Sequence, residues 1–279
     1  MSMLRMAMTD IVKAFKNPKF WILVILGMFF LSSETRELRM LASQHELGIP
    51  PFIYPIYMLD WRGRMYSLVL IVMLMSEAPF YNDNEVYVAV RVNRFKWLTG
   101  KIMFIVLMSF VFQVIMVAVS ALVLENNLGL GNEWGDVIVT YIKSMQGLIS
   151  EGGVISNDKL LEMSPLPILG YEFLLMVLIS IIIGLMTFIL NGVLQSYVGT
   201  VIMGVVVLLD IYLEDFSFVT FSNAMFEMPT KWIDLSYIIS SKELSFNGAL
   251  AYMSIMILVL AMVCYVLVGL RKIKMVRNV

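Results

Sequence analysis

Long apolar runs alternate with shorter polar segments along the whole chain. A helix needs about 20 mostly apolar residues to cross a bilayer, and six runs approach or reach that length. The predicted spans cover about residues 18–33, 63–80, 102–124, 169–190, 197–213 and 248–270. The pattern therefore predicts an all-α polytopic membrane protein with six transmembrane helices, which form a single domain over residues 1–279.

The boundaries of the second span are open to two interpretations. Its apolar core lies around Leu68 to Val72, which places the span at about 63–80. The helix can also begin earlier, near Phe52, in which case Pro55 and Asp60 would bend it. With the span at 63–80, the polar segments on the outer side cover about 34–62, 125–168 and 214–247.

Composition excludes several other classes of protein. The chain has 279 residues, 60% hydrophobic and 15% charged, with a mean hydropathy of +0.85. Soluble domains carry about 25% charged residues, so this chain cannot hide its apolar residues in one soluble core. Disorder requires low hydrophobicity and high net charge. Cys264 is the single cysteine, which excludes a disulfide framework, and a net charge of −1 gives no indication of nucleic-acid binding.

The charges are segregated, and the segregation predicts an orientation. Lys and Arg accumulate in cytoplasmic loops. With a cytoplasmic N-terminus and six spans, the inner segments are 1–19, about 76–101, about 191–196 and 271–279. They hold 12 of the 20 cations and 4 of the 21 acids, a net charge of +8, which leaves −9 for the rest of the chain. Both termini are therefore predicted to be cytoplasmic.

Residues 3–17 form the first polar segment and have the pattern of an amphipathic helix. Its predicted apolar face includes Ile11 and Phe15, and Arg5 lies largely opposite. Asn17-Pro18 ends the helix. A basic amphipathic helix beside a span suits the inner membrane interface. It either orients the chain through its positive charge alone or also contacts a cytoplasmic partner.

The inner segment 77–101 is too polar to span the membrane. Asn82 or Asp83 is a suitable cap for a short helix with Glu85 in its first turn and Arg91 in its last, as the helix dipole prefers. Arg94 and Lys96 follow. One interpretation is an ordinary basic loop. The other, favoured by its length, aromatic residues and mixed charge, is a docking surface on the cytoplasmic side.

No catalytic or metal-binding pattern is present in the sequence. It contains no phosphate-binding G-x-x-x-x-G-K-[ST] loop, and His45 and Cys264 cannot supply a metal cluster or a His-based triad. Polar residues inside spans are costly and often functional. Those considered for a substrate pathway are Gln113, Asn191 and Gln195, of which Gln195 follows the fourth span. Hydrogen bonding between helices is the alternative interpretation.

The chain resembles the membrane subunits of ABC transporters of the ABC-2 type. The resemblance rests on the six spans, the N-terminal amphipathic helix and the order of residues in the second inner segment: Asp83 and Glu85, then Arg91 and Arg94, then Leu98-Thr99-Gly100-Lys101. Val86-Tyr87 replaces the family's common Gly-Thr. Ser164-Pro165-Leu166, and Pro229 with Trp232, also look like the family. The long 125–168 segment is similar to that of permeases in bacterial peptide-antibiotic export or immunity systems.

The resemblance implies an exporter subunit in the plasma membrane of a bacterium. This chain would bind no cofactor, because a separate cytoplasmic ATPase subunit would hold ATP and Mg²⁺. The ATPase would press on the N-terminal helix and on a coupling helix at about 82–94, through Asp83, Glu85, Arg91, Arg94 and Lys96. Two permease copies, identical or different, would form the pathway for an amphipathic peptide or hydrophobic small molecule, lined by spans one, two and five. The competing hypothesis is a membrane enzyme or a non-transporting immunity or sensor protein.

Overall fold

The described part of the chain is helical. The computed structural model describes residues 3–45, 47–80, 92–124, 128–129, 133–146, 160–194, 196–215, 232–240, 245–270 and 273. Within them, the only β-type pairing is an isolated bridge between Ile49 and Leu128. The helices are α1 (Met3–Lys16), α2 (Pro18–Glu34), α3 (Arg36–His45), α4 (Ile53–Leu59), α5 (Trp61–Met75), α6 (Arg94–Leu122), α7 (Gly135–Gln146), α8 (Pro165–Leu194), α9 (Val198–Asp215), α10 (Leu235–Ser240) and α11 (Phe246–Gly269). The predicted all-helical class is confirmed.

A sharp bend separates α1 from α2. The two helices meet at an angle of 66°. The side chain of Asn17 accepts a hydrogen bond of 3.0 Å from the backbone N–H of Lys19 and so caps α2. Pro18 occupies the first turn of α2, where its missing N–H is tolerated. The local sequence therefore ends one helix and starts the next in a different direction.

The chain bends at Asp60, just before the second predicted span. The Asp60 carboxylate accepts a hydrogen bond of 3.2 Å from the backbone N–H of Arg62, which caps α5, while α4 ends one residue earlier. α5 then runs from Trp61 to Met75 and ends before the predicted limit at residue 80. The arrangement corresponds to the alternative in which the helix begins near Phe52 and bends at Asp60. Residues 76–80 form a turn, which we call the 76–80 turn.

Six helices, α2, α5, α6, α8, α9 and α11, run alternately in opposite directions. Contacts between helix termini establish this order: Lys19–Glu77, Glu34–Arg62, Ser76–Asn191, Asn191–Thr200 and Arg94–Val268. One end of the bundle carries α1 and the 76–80 turn, and we call it the α1 end. The opposite end carries α3, α4, α7 and α10, and we call it the α3 end.

Three helices are each long and apolar enough to cross a bilayer: α6, α8 and α11, with 29, 30 and 24 residues. The bent pair α1–α2 passes the same test when taken together, which gives up to four. The 15 residues of α5 extend only about 22 Å, and the apolar part of α9 covers Val198–Leu209. Both are shorter than a hydrocarbon core of about 30 Å. The described helices thus give three or four candidates instead of the six predicted.

Buried apolar side chains form two clusters. The larger one joins α1, α2, α5, α6, α8 and α11. In this cluster Gly184 allows α6 and α8 to approach closely, since a Cβ at that position would lie 2.6 Å from Cγ2 of Ile105. The second cluster lies at the α3 end and includes Ile53, Ile138 and Tyr141. Burial raises the pKa of the Tyr141 phenol to about 12, so this side chain is neutral at physiological pH.

Candidate functional site

The α1 end collects most of the residues that the sequence singled out, beginning with α1 itself. α1 packs along α6 through Met6, Ala7 and Ile11, which are buried. Phe15 is half-buried, and its ring centroid lies 4.9 Å from that of Phe20 at the start of α2. Arg5 is exposed. Of the three residues proposed for α1, two therefore hold it against the bundle and one faces outward.

The apolar face of α1 is wider than the surface that α6 covers. Leu4, Met8 and Val12 belong to the predicted apolar face, and each is at least half exposed. They follow one another at intervals of four residues and form one stripe along the helix. Lys13 and Lys16 are exposed as well. An exposed apolar stripe with cations beside it suits a helix at the boundary between acyl chains and headgroups.

Lys101 joins α1 to the 76–80 turn. Its side chain is only 2% exposed, and Nζ lies 3.0 Å from Oδ2 of Asp10 in α1. The same ammonium group donates a hydrogen bond of 2.8 Å to the carbonyl oxygen of Phe80. It also lies 6.0 Å from the ring centroid of Trp97. Since a buried ammonium group is stable only with partners of this kind, Lys101 holds α1, the turn and α6 in one arrangement.

The 76–80 turn leads directly into the segment predicted to couple to an ATPase. Lys19, at the start of α2, lies 2.7 Å from Oγ of Ser76 and 3.0 Å from Oε1 of Glu77. These contacts fix the 76–80 turn, which precedes the predicted coupling segment, to α2. Three of the coupling residues, Asp83, Glu85 and Arg91, lie outside the described residues.

The other two coupling residues, Arg94 and Lys96, differ in environment. Nη1 of Arg94 lies 3.5 Å from the carbonyl oxygen of Val268, so it meets the C-terminal turn of α11, where a cation is favourable. Lys96 is exposed. Arg94 therefore has a structural contact in addition to its predicted role, whereas the charge of Lys96 faces outward at the α1 end.

Asn191 connects the last turn of α8 to two other elements. Its Nδ2 lies 2.9 Å from the carbonyl oxygen of Ala78 and 2.9 Å from Oγ1 of Thr200. Its Oδ1 accepts a hydrogen bond of 2.9 Å from the backbone N–H of Thr200, whose hydroxyl donates to the carbonyl of Ser76 at 3.0 Å. The group links α8, α9 and the 76–80 turn. Gln195, also proposed for the pathway, lies outside the described residues.

Gln113 lies inside the bundle between three helices. The hydroxyl of Tyr54 in α4 donates a hydrogen bond of 2.8 Å to Oε1 of Gln113, and Nε2 of Gln113 donates one of 3.1 Å to Oγ of Ser180 in α8. All three side chains are buried. Of the two interpretations of Gln113, these bonds favour hydrogen bonding between helices, and a place on a pathway stays a prediction.

A cavity of about 130 Å³ opens at the α1 end between α1, α2, α5 and α6. Its polar lining includes Lys13, next to the ion pairs of Asp10 and Glu77. Its apolar lining includes Phe20, Leu23, Leu74, Phe104 and Met108. Such a lining suits one end of an amphipathic molecule.

No family model matches the chain. No curated protein and no solved structure is significantly similar to it. The resemblance to ABC-2 permeases therefore rests on the residues themselves, and the function that it implies is a proposal. Among the described residues, no group of three or more His, Cys, Asp or Glu side chains is placed to hold a metal ion.

Sequence reasoning missed several residues that organise the α1 end. Lys101 was noted only as the residue that opens the third span, and neither Thr200 nor Ser76 was singled out. Lys101 carried a detectable signal, because a lysine followed by 23 uncharged residues requires a partner if its helix is buried. The partner, Asp10, lies 91 positions away, and no local pattern connects the two.

Proposed function

We propose that this chain is the membrane-spanning permease subunit of an ATP-driven ABC exporter of the ABC-2 type. A separate cytoplasmic ATPase binds ATP and Mg²⁺, and a second permease copy completes the pathway. The cargo is an amphipathic peptide or a hydrophobic small molecule that leaves the cytoplasm or the inner leaflet. In this proposal six helices cross the bacterial plasma membrane, and α5 and α9 are the short crossings.

The observation that carries the proposal is the double contact of Lys101. An exporter energised by a partner needs surfaces on which the partner presses and a rigid link from them to the bundle. Lys101 binds Asp10 of α1 and the carbonyl of Phe80, immediately before the predicted coupling segment. The two elements predicted to receive the ATPase are thus joined at one buried side chain.

Asn191 supports the same proposal because it extends the link beyond α1 and α6. A displacement of the 76–80 turn would be transmitted through Ser76 and Ala78 to Asn191 and Thr200, and so to α8 and α9. A partner shifts such a bundle only if it binds one arrangement more tightly than another. A network of hydrogen bonds that has two discrete arrangements is a suitable carrier for that difference.

Exposed apolar faces on α2 and α9 support a pathway between two copies. Trp21, Ile25 and Phe29 of α2 are exposed, as are Val201 and Val205 of α9. Both helices pack against α5. The three helices correspond to spans one, two and five, which the resemblance assigns to the pathway. In this arrangement substrate and lipid face the same apolar surfaces, which suits hydrophobic cargo.

The test is purification of the tagged chain from its native membranes, followed by reconstitution with any ATPase that co-purifies. We expect ATP hydrolysis to rise when amphipathic peptides are added. The variant Lys96→Glu reverses an exposed charge at the α1 end and should weaken that stimulation at least fivefold. Arg36→Glu makes the same change on α3 at the opposite end and should have no effect.

Two results would contradict the proposal. The first is the absence of any ATPase partner, which would favour the membrane enzyme or the non-transporting immunity or sensor protein. The second is an ATPase whose activity responds equally to Lys96→Glu and to Arg36→Glu, because the α1 end would then have no special role.

A further inference from the structure

A buried group of charged side chains lies at the α3 end, opposite the α1 end. Nη1 of Arg64, in the first turn of α5, lies 2.9 Å from Oδ2 of Asp234. The same nitrogen lies 3.4 Å from the carbonyl oxygen of Leu59. The side chains of Arg64 and Asp234 are 7% and 12% exposed. This ion pair joins α5 to the segment that precedes α10.

Glu172 of α8 is a second carboxyl group beside this pair. It is fully buried, and neither of its oxygens has a hydrogen-bond partner in the part of the chain that the structure describes. Arg64 and Asp234 are the charged groups that act on it electrostatically. The phenol of Tyr54 on α4 is also close enough to interact with it. The described titratable groups that face Glu172 are therefore Tyr54, Arg64 and Asp234.

Among the described members of this group, the charges do not balance if every side chain is ionised. One guanidinium group faces two carboxyl groups, and Asp234 holds the guanidinium at hydrogen-bond distance. An ionised carboxylate buried without a hydrogen-bond donor is strongly unfavourable, and such a group takes up a proton instead. A neutral carboxyl group avoids the cost of burying a charge. Its burial costs only the hydrogen bonds that it does not make.

We propose that Glu172 is a proton-binding site, and that Arg64 exchanges from Asp234 to Glu172 when the proton leaves. In the described arrangement the proton resides on the Glu172 carboxyl, and Arg64 pairs with Asp234. On release, the proton passes to water at the α3 end, the Glu172 carboxylate receives the guanidinium, and Asp234 is hydrated. No charge is left buried without a partner in either arrangement.

The proton exchanges at the α3 end and is not relayed through the bundle. From Tyr54 the hydrogen bonds continue to Gln113 and Ser180. The Ser180 hydroxyl donates to the carbonyl of Met176 in its own helix. The next polar group on this face of α8 is Thr187, about 10 Å further along the axis, and it donates to its own helix as well. Among the described residues, the polar groups on this face of α8 are therefore not continuous from one end to the other.

The exchange would make one contact of the fold depend on the pH at the α3 end. The Asp234 ion pair holds α5 to the segment that leads through α10 towards α11. When Glu172 loses its proton, that contact is lost and Arg64 holds α5 to α8 instead. The proposal does not rest on the exporter assignment, because it follows from the burial and charges of these side chains alone.

Infrared spectroscopy of the full-length protein in lipid bilayers at neutral pH tests this site. We expect a C=O stretching band of a protonated carboxyl group in the wild-type protein, and we expect Glu172→Gln to remove it. Glu162→Gln changes an exposed carboxyl group just before α8 and should leave the band in place. Glu172→Met is the second assignment variant, because it removes the carboxyl group without adding a buried amide. Absence of the band from the wild-type protein, whether Glu172 is ionised or holds a metal cation, overturns the proposal.

The partner exchange is tested separately with Asp234→Asn. Removing the Asp234 charge should transfer Arg64 to Glu172 and release the proton, so the band should fall by at least half at neutral pH. A band of wild-type intensity in Asp234→Asn would show that Arg64 does not exchange, and would overturn that step. A band that survives both Glu172→Gln and Glu172→Met would place the proton on another residue and overturn the assignment.

Discussion

Lys101 and Asp10 form a buried ion pair of 3.0 Å between α6 and α1, although 91 positions separate them in the chain. The pair fixes which part of the predicted apolar face of α1 is buried. Ala7 and Ile11 of that face lie on the side of Asp10 and are buried with Met6. Leu4, Met8 and Val12 belong to the same predicted face but stay exposed.

We predict that Lys101→Met destabilises the protein by about 3 kcal/mol, because it leaves the Asp10 carboxylate without its buried partner. The midpoint of thermal unfolding in detergent micelles measures the change. The double variant Asp10→Asn/Lys101→Met should regain part of the loss, since no ion is then left unpaired. Equal destabilisation by the double and the single variant would indicate that the Phe80 contact, and not the ion pair, is the important one.

A second prediction concerns the junction of α8, α9 and the 76–80 turn. Asn191→Leu removes the bonds to Ala78 and Thr200 and should lower the free energy of unfolding by about 2 kcal/mol. Valine has nearly the same shape as threonine, so Thr200→Val removes only the hydroxyl group and should lower the free energy of unfolding by about 1 kcal/mol. Chemical denaturation of both variants measures the difference. If Thr200→Val is as damaging as Asn191→Leu, the backbone bond of Thr200 to Asn191 contributes little.

Local patterns predicted the helices better than they predicted their lengths. The capping residues Asn17 and Asp60 and the apolar run of α6 can be recognised from residues that are neighbours in the sequence. α5 is shorter than predicted because its C-terminal residues turn at Ser76 to meet Lys19 and Asn191, which are distant in sequence. No local sequence pattern predicts contacts between residues so far apart in the chain.

The candidate site shows the same limit. Lys96 could be placed at the α1 end from charge alone, since the positive-inside rule needs no contacts. Asn191 was chosen for its rarity in an apolar span, but its partners Ala78 and Thr200 come from other elements. The Glu172 group was missed for a different reason. Arg64 and Glu172 are each ordinary near a predicted span end, Asp234 is ordinary in a predicted outer loop, and only their convergence makes them unusual.

A third prediction separates the two interpretations of Gln113. If Gln113 serves to join helices, Gln113→Leu should lower stability by about 1 kcal/mol. The double variant Gln113→Leu/Tyr54→Phe should lose less than the sum of the single variants, because both remove the same bond. Thermal unfolding of the four proteins gives the coupling energy. A variant with unchanged stability and an altered response to substrate would instead place Gln113 on the pathway.

The last prediction tests the first three proposed crossings, α2, α5 and α6, together with their orientation. Single cysteines are introduced at the exposed positions Lys16 and Lys96 at the α1 end, and Arg36 and Lys143 at the α3 end, in a Cys264→Ala background. A membrane-impermeant maleimide applied to intact cells should label positions 36 and 143 only, because the acidic α3 end faces outward. Positions 16 and 96 should be labelled only after the cells are permeabilised. In the chain, α2 and α5 lie between Lys16 and Lys96. Labelling of only one of these two positions in intact cells would therefore show that either α2 or α5 does not cross the membrane.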